Sequence, residues 1–193
     1  MQTDFRAGVV AVIGRPNVGK SSLLNRILKY KLSIVSAKPQ TTRDNILGLY
    51  NGASSQILFV DTPGIHAPLN KLGERLVERA VSGLEDANVI LYVVTIDDRP
   101  EQRENARIAE VLREHSDVPV VMAVNKVDLP GSKNKILPVI DRFTKKIKLR
   151  DVVPVSAKDG TNTEVLVKTL ESLLPVAAPL YPDDMITDRT ERF

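Results

Sequence analysis

Gly14-Arg15-Pro16-Asn17-Val18-Gly19-Lys20-Ser21 fits the pattern G-x-x-x-x-G-K-[ST] of a phosphate-binding loop. Before it runs Val9-Val10-Ala11-Val12-Ile13, short, apolar and mostly β-branched, which reads as a buried strand. After it, Ser22–Leu28 carries apolar residues at helical spacing. Strand, glycine loop and helix in this order separate a phosphate loop from a bare pattern match. Glycine at positions 14 and 19 lets the backbone approach an anion, and successive N–H groups then line a concave site. The helix adds its unpaired N–H groups and the positive end of its dipole. Lys20 is placed to reach the β- and γ-phosphates, and the Ser21 hydroxyl to meet Mg²⁺. The natural ligand of such a loop is a nucleoside triphosphate; the loop says nothing about the base.

The 193 residues suit one α/β domain with a modest appendage. Apolar content is 42% and charged content 26%, ordinary for a globular chain, and the formal charge of +3 is too small to point to nucleic acid by itself. There is no cysteine, which removes disulfides and thiolate metal sites. The N-terminal stretch has no apolar signal core, and no apolar run approaches the roughly 18 residues of a membrane span. The reading is a cytoplasmic protein, with a position at the membrane periphery left open.

Strand-like runs at Val9–Ile13, Ile57–Val60, Val89–Val94, Val118–Val124 and Val152–Val155 alternate with helical patterns at Ser22–Leu28, Leu72–Leu84, Arg103–His115, Ile136–Ile147 and Glu164–Leu174. Alternation of this kind builds βαβ units and a parallel sheet buried on both faces. Ile46–Tyr50 reaches Ile57 through six residues, too few for a crossover helix, so this pair is expected to be an antiparallel hairpin. A six-stranded, mostly parallel sheet with one antiparallel edge strand and helices on both faces follows. Residues 1–174 form the expected domain. Pro175, Pro179 and Pro182 mark 175–193 as a tail or linker.

Four further stretches carry chemistry. Asp61-Thr62-Pro63-Gly64 ends a buried strand downstream of the phosphate loop, where Asp61 is placed for a second Mg²⁺ contact and the Gly64 N–H for sensing a γ-phosphate. Asn125-Lys126-Val127-Asp128 also ends a strand. The Asp128 carboxylate can accept from the guanine ring N–H and the exocyclic amino group together, an edge that adenine lacks. Lys126 can lay its stem over a base, and Asn125 can tie this loop to its neighbours. In Ser156-Ala157-Lys158 the Ala157 N–H is a candidate donor to the guanine carbonyl. In Gln40-Thr41-Thr42-Arg43-Asp44 a threonine hydroxyl can complete Mg²⁺ coordination; Thr42 is preferred and Thr41 stays open.

Taken together, Gly14–Ser21, Thr42, Asp61–Gly64, Asn125–Asp128 and Ser156–Lys158 resemble the motif set of the translation-factor class of small GTPases. Gly14-Arg15-Pro16-Asn17, Gln40-Thr41-Thr42-Arg43, Ile65 after Gly64, and the tail Tyr181-Pro182-Asp183-Asp184 with Ile186-Thr187-Asp188-Arg189 and Glu191-Arg192-Phe193 are similar to its Era branch. The resemblance implies a P-loop, Ras-like fold binding GTP or GDP with Mg²⁺. It implies a GTP-hydrolysing factor for maturation of the small ribosomal subunit and its 16S rRNA, with an RNA-binding KH domain after the linker; a monomer with slow intrinsic turnover is expected. No two glycines here are spaced G-x-x-G, so the KH clamp loop is expected outside this chain.

The implied nucleotide site comprises Gly14, Arg15, Pro16, Asn17, Val18, Gly19, Lys20, Ser21, Ser22, Asp61, Thr62, Pro63, Gly64, Asn125, Lys126, Asp128, Ser156, Ala157 and Lys158. Its metal ligands are Ser21, Thr42 and Asp61, and its catalytic groups Lys20, Asn17, Thr42 and Gly64. Ras-type enzymes place a water-orienting glutamine directly after Gly64; this chain has Ile65, followed by His66. Relatives with asparagine at position 17 use a potassium ion near the phosphates, so K⁺ is a further candidate cofactor. Asn17 reads equally as a turn residue. A binding module with negligible hydrolysis, an ATPase and a domain cut from a membrane transporter are the competing readings. The charged helix Leu72–Leu84 and the loop Asp97-Asp98-Arg99 read as solvated surface.

Overall fold

The computed structural model describes residues 4–28, 46–61, 84 and 86–182, with Ile46 and Asp61 described through their backbone. Its elements are β1 (Arg6–Ile13), α1 (Lys20–Leu28), β2 (Ile46–Asn51), β3 (Ser55–Asp61), β4 (Val89–Thr95), α2 (Arg103–Glu114), β5 (Val120–Asn125), α3 (Lys133–Thr144), β6 (Asp151–Pro154) and α4 (Thr163–Leu173). Six strands form one sheet in the order β2-β3-β1-β4-β5-β6. Only the β2–β3 pair is antiparallel, closed by a tight turn in which Gly52 N donates to Ser55 O at 2.8 Å. The expected hairpin and the mostly parallel sheet are both present.

Every residue of β4 is buried. Val89, Leu91 and Val93 face one cluster, with Leu23, Ile27, Leu166 and Leu170 of α1 and α4. Ile90, Tyr92 and Val94 face the other, with Ile108, Leu112, Val139 and Phe143 of α2 and α3. Strand side chains alternate between faces, so an unbroken apolar run is what a sheet covered on both sides requires.

The strand registers bring the functional stretches to one edge. Val12 pairs with Asp61, Ile13 with Tyr92, Thr95 with Asn125, and Val124 with Pro154. The carboxyl ends of β1, β3, β4, β5 and β6 therefore lie side by side, which is where open α/β sheets bind ligands.

At the opposite edge the chain after α4 is stitched down beyond position 174. Val176 bridges Arg6, Ala7 N donates to Pro175 O at 3.2 Å, and Ala177 N donates to Phe5 O at 3.0 Å. Gln56, 1% exposed, then treats Tyr181 as a strand neighbour would. Its Nε2 donates to Tyr181 O at 3.0 Å, and its Oε1 accepts from Tyr181 N at 2.9 Å. The first part of the expected tail or linker, up to Tyr181, is thus hydrogen-bonded to β1 and β3.

Candidate functional site: a phosphate loop joined to a base loop

Gly14 has φ +150° and Gly19 φ +96°, conformations that side chains resist. A Cβ on Gly14 would run into the Val93 carbonyl oxygen, and one on Gly19 into the Asn125 amide nitrogen. The glycines are therefore set by close approach of β4 and of the loop after β5. Asn17, at the exposed tip, takes a left-handed φ of +63°. Lys20 Nζ donates to Gly14 O at 2.6 Å and Arg15 O at 3.0 Å, folding the ammonium back over the loop. The same ammonium can instead meet phosphate oxygens. Ser21 and Ser22 lie exposed in the first turn of α1, and Pro16 is exposed beside Asn17. This donor set, concave N–H groups with a lysine and a hydroxyl, fits a phosphate and its magnesium ion.

Asn125, 2% exposed, joins the two halves of the site. Its Nδ2 donates to Val18 O at 2.9 Å in the phosphate loop, and its Oδ1 accepts from Ala157 N at 3.0 Å. Lys126, with φ +67°, sends Nζ to Asn17 O at 3.0 Å. Ser156 is fully buried and donates from Oγ to Asp128 Oδ1 at 2.8 Å, which fixes the carboxylate while leaving its other oxygen for a ligand. Ser156 Oγ also accepts from Asp159 N at 3.2 Å, closing the turn after Lys158. The Asp159 carboxyl is held below the usual carboxylate range, chiefly by hydrogen bonds from the Thr161 hydroxyl and backbone.

The structure thus brings Gly14 to Ser22, Asn125, Lys126, Asp128, Ser156, Ala157 and Lys158 together, and the backbone of Asp61 lies beside β1 just before the loop. Thr41, Thr42, Thr62, Pro63, Gly64, Ile65, His66 and residues 72–83 of the expected charged helix lie outside the described residues. One assignment changes in detail. The Ala157 N–H is already given to Asn125, so a base carbonyl would have to share it.

Two side chains escaped the sequence reading. Asp98, read as part of an exposed loop, has no exposed surface; it pairs with Arg15 of the phosphate loop, and its Oδ2 accepts from Thr95 N at 2.8 Å. The correction has a physical cause, since a buried carboxylate is held where a guanidinium meets it. Its neighbour Asp97 is exposed, as expected, and pairs with Lys135 at 2.7 Å. Arg26 of α1 donates from Nε to Ala157 O at 3.2 Å and from Nη2 to Lys158 O. No motif in the sequence flags either contact, because each spans 83 residues or more.

A family model described as 50S ribosome-binding GTPase matches residues 9–126. The GTPase Era of Geotalea uraniireducens is 44% identical over 192 residues, covering all of this chain and 64% of that protein. The GTPase Era of Clostridium beijerinckii is 43% identical over 189 residues. The chain spans just under two thirds of the length of these curated relatives. Among solved structures, a variant of Aquifex aeolicus Era bound to GDP·AlF4⁻ superposes with a TM-score of 0.77 at 43% identity, covering 96% of this chain and 62% of that one. An Era complex with MgGDPNP and nucleotides 1506–1542 of 16S ribosomal RNA matches equally. The FeoB G-domain of Methanococcus jannaschii, at 23% identity and a TM-score of 0.58, shares the fold. With a family model matched over most of its core and identity above 40% along its whole length, this GTP-binding domain belongs to the 50S ribosome-binding GTPase family, on its Era branch.

Proposed function

We propose that the chain is the GTP-binding and GTP-hydrolysing part of a ribosome-assembly factor that acts in maturation of the small subunit through 16S rRNA. The observation that carries the nucleotide assignment is the Asn125 amide, which holds the phosphate loop at Val18 and the base loop at Ala157 in one rigid unit. A ligand with phosphates at one end and a purine at the other would meet both loops at once, with Asp128, fixed by Ser156, as the acceptor that selects guanine. The rRNA assignment leans on the 43% identity to an Era solved with 16S rRNA, whereas the 50S wording belongs to a broader family description. RNA contact would come from a KH domain beyond the linker. The intact protein is proposed to work as a monomer in the cytoplasm; among the described residues no helix is long and apolar enough to cross a membrane.

Hydrolysis here rests on positioning and charge. Lys20 and the loop N–H groups hold the β- and γ-phosphates. Ser21, Asp61 and Thr42 would hold Mg²⁺, which when bound would neutralise charge developing on the phosphates. The Gly64 N–H reports on the γ-phosphate. Ile65 has no polar group to orient a water, which is the ground for proposing slow intrinsic turnover, and Asn17, exposed at the loop tip, is the residue assigned to a K⁺ ion in this reading. Ile65 equally favours a second reading, a GTP-dependent binding module that hydrolyses only with its partner.

The test combines binding and turnover. The chain should bind GDP at least 100-fold more tightly than ADP or ATP, and Asp128→Asn should erase most of that preference. Phosphate release should be slow, faster in potassium than in sodium buffer, with the difference lost in Asn17→Ala. Tight ATP binding would overturn the base assignment. Release detectable only with small ribosomal subunits would favour the binding module.

A further inference from the structure

We propose that Arg26 is a positioning residue for base selection, acting through the backbone of Ala157 and Lys158 and never touching the nucleotide; the inference rests on the proposed reading of that loop as base-binding. Arg26 lies six residues after Lys20 on α1, about 9 Å further along the helix axis. Its planar guanidinium takes two successive carbonyls, Nε on Ala157 O at 3.2 Å and Nη2 on Lys158 O. A guanidinium fork fixes both direction and spacing of its acceptors in a way a single ammonium does not.

The consequence follows from peptide geometry. The chain has no cis peptide among the described residues, and in a trans peptide the C=O and N–H of one unit point in opposite directions. With Ala157 C=O turned toward α1, the N–H of Lys158, in the same peptide unit, is turned away from α1. That N–H donates to no described residue, whereas the Ala157 N–H is engaged by Asn125. Arg26 therefore presents an unpaired donor on the outer side of the loop. A purine carbonyl accepts such a donor, and an amino group at the same ring position opposes it. The Arg26 stem also runs beside the loop: a Cβ added to Gly160, which has φ +91°, would lie 3.8 Å from its Cδ. A simple helix-to-loop stitch would use the same contacts, so the test must read the base and not only affinity.

The dissociation constants of GDP, inosine diphosphate and 2,6-diaminopurine riboside diphosphate are measured on the chain and on R26M and R26K. Inosine keeps the carbonyl and lacks the amino group that Asp128 reads; diaminopurine carries an amino group in place of the carbonyl. R26M, which keeps an apolar stem against Gly160, should lower the preference for GDP over the diaminopurine nucleotide about tenfold and leave the preference over the inosine nucleotide unchanged. R26K, with one ammonium reaching one carbonyl, should fall between, and supplies the reading should R26M unfold. Equal weakening of all three nucleotides, or an unchanged GDP-to-diaminopurine ratio in both variants, overturns the proposal. A wild-type chain that does not distinguish GDP from the diaminopurine nucleotide instead removes the base-loop reading underneath it.

Discussion

The guanidinium of Arg15 lies between the phosphate loop and Asp98, a carboxylate with no exposed surface. Taking a carboxylate out of water is costly unless a partner and hydrogen bonds replace the solvent. Asp98 has both, Arg15 on Oδ1 and the Thr95 N–H on Oδ2. Arg15 itself is less complete, since its buried Nε has no partner among the described residues. Arg15→Ala should therefore destabilise the domain by about 3 kcal/mol, because it strands a buried charge. Arg15→Ala with Asp98→Asn together should recover part of that loss. Urea unfolding of the two single variants and the double variant measures the coupling; strictly additive losses would show that the pair does not act as one unit. At this scale the sequence was legible where chemistry is local. Gly14, Gly19, Lys20 and Asp128 announce themselves by type and spacing. Arg15, Asp98 and Arg26 do not, since a charged residue looks the same whether its partner is water or a side chain brought from the other end of the chain.

Among the elements, α3 shows where a periodic pattern finds the right face and the wrong ends. The apolar spacing places a helix at Ile136–Ile147, and Val139 and Phe143 are indeed its buried residues, yet the helix runs Lys133–Thr144. It starts early because Ser132 O already accepts from Lys135 N and Ile136 N, a turn made by residues that carry no apolar signal. It ends early although Ile147 is buried, since Ile147 reaches the core from the turn that follows. β1 likewise starts at Arg6, ahead of its apolar run, because Ser55 and Gln56 of β3 give that backbone a ladder to join. Pro138 sits inside α3 with no N–H to give to the residue four back. Pro138→Ala should restore that bond and stabilise the domain by about 1–3 kcal/mol, with the binding of GDP unaffected. Thermal melting checks this; a lower melting temperature would mean that the pyrrolidine ring contributes packing worth more than the missing bond.

At the scale of the molecule, Tyr92 links the sheet to both helices on one face and reaches toward the site. Its ring packs edge-on against Phe143 of α3, with centroids 5.8 Å apart. Its hydroxyl donates at 2.9 Å to Asn105 of α2, whose Nδ2 holds Arg99 O and Gln102 Oε1. Burial first, and the nearby Asp98 second, push the phenol far above its ordinary value of 10.0, while Arg15 pulls weakly the other way. The folded chain keeps this proton where the unfolded chain releases it, so the contribution is complete below pH 10 and is lost as pH rises above it. Removing the hydroxyl in Tyr92→Phe leaves Asn105 Oδ1 without its donor and should cost about 1–2 kcal/mol at pH 7. Above pH 10 the wild-type chain alone loses a further 1.4 kcal/mol or so per pH unit from this group. The two stabilities should therefore converge within about one to two pH units. Urea unfolding of both chains at pH 7, 9, 10.5 and 11 reads the gap directly. A gap that stays constant across that range would mean that Tyr92 ionises as readily in the folded sheet as in the open chain, and that burial between α2 and α3 does not hold its proton.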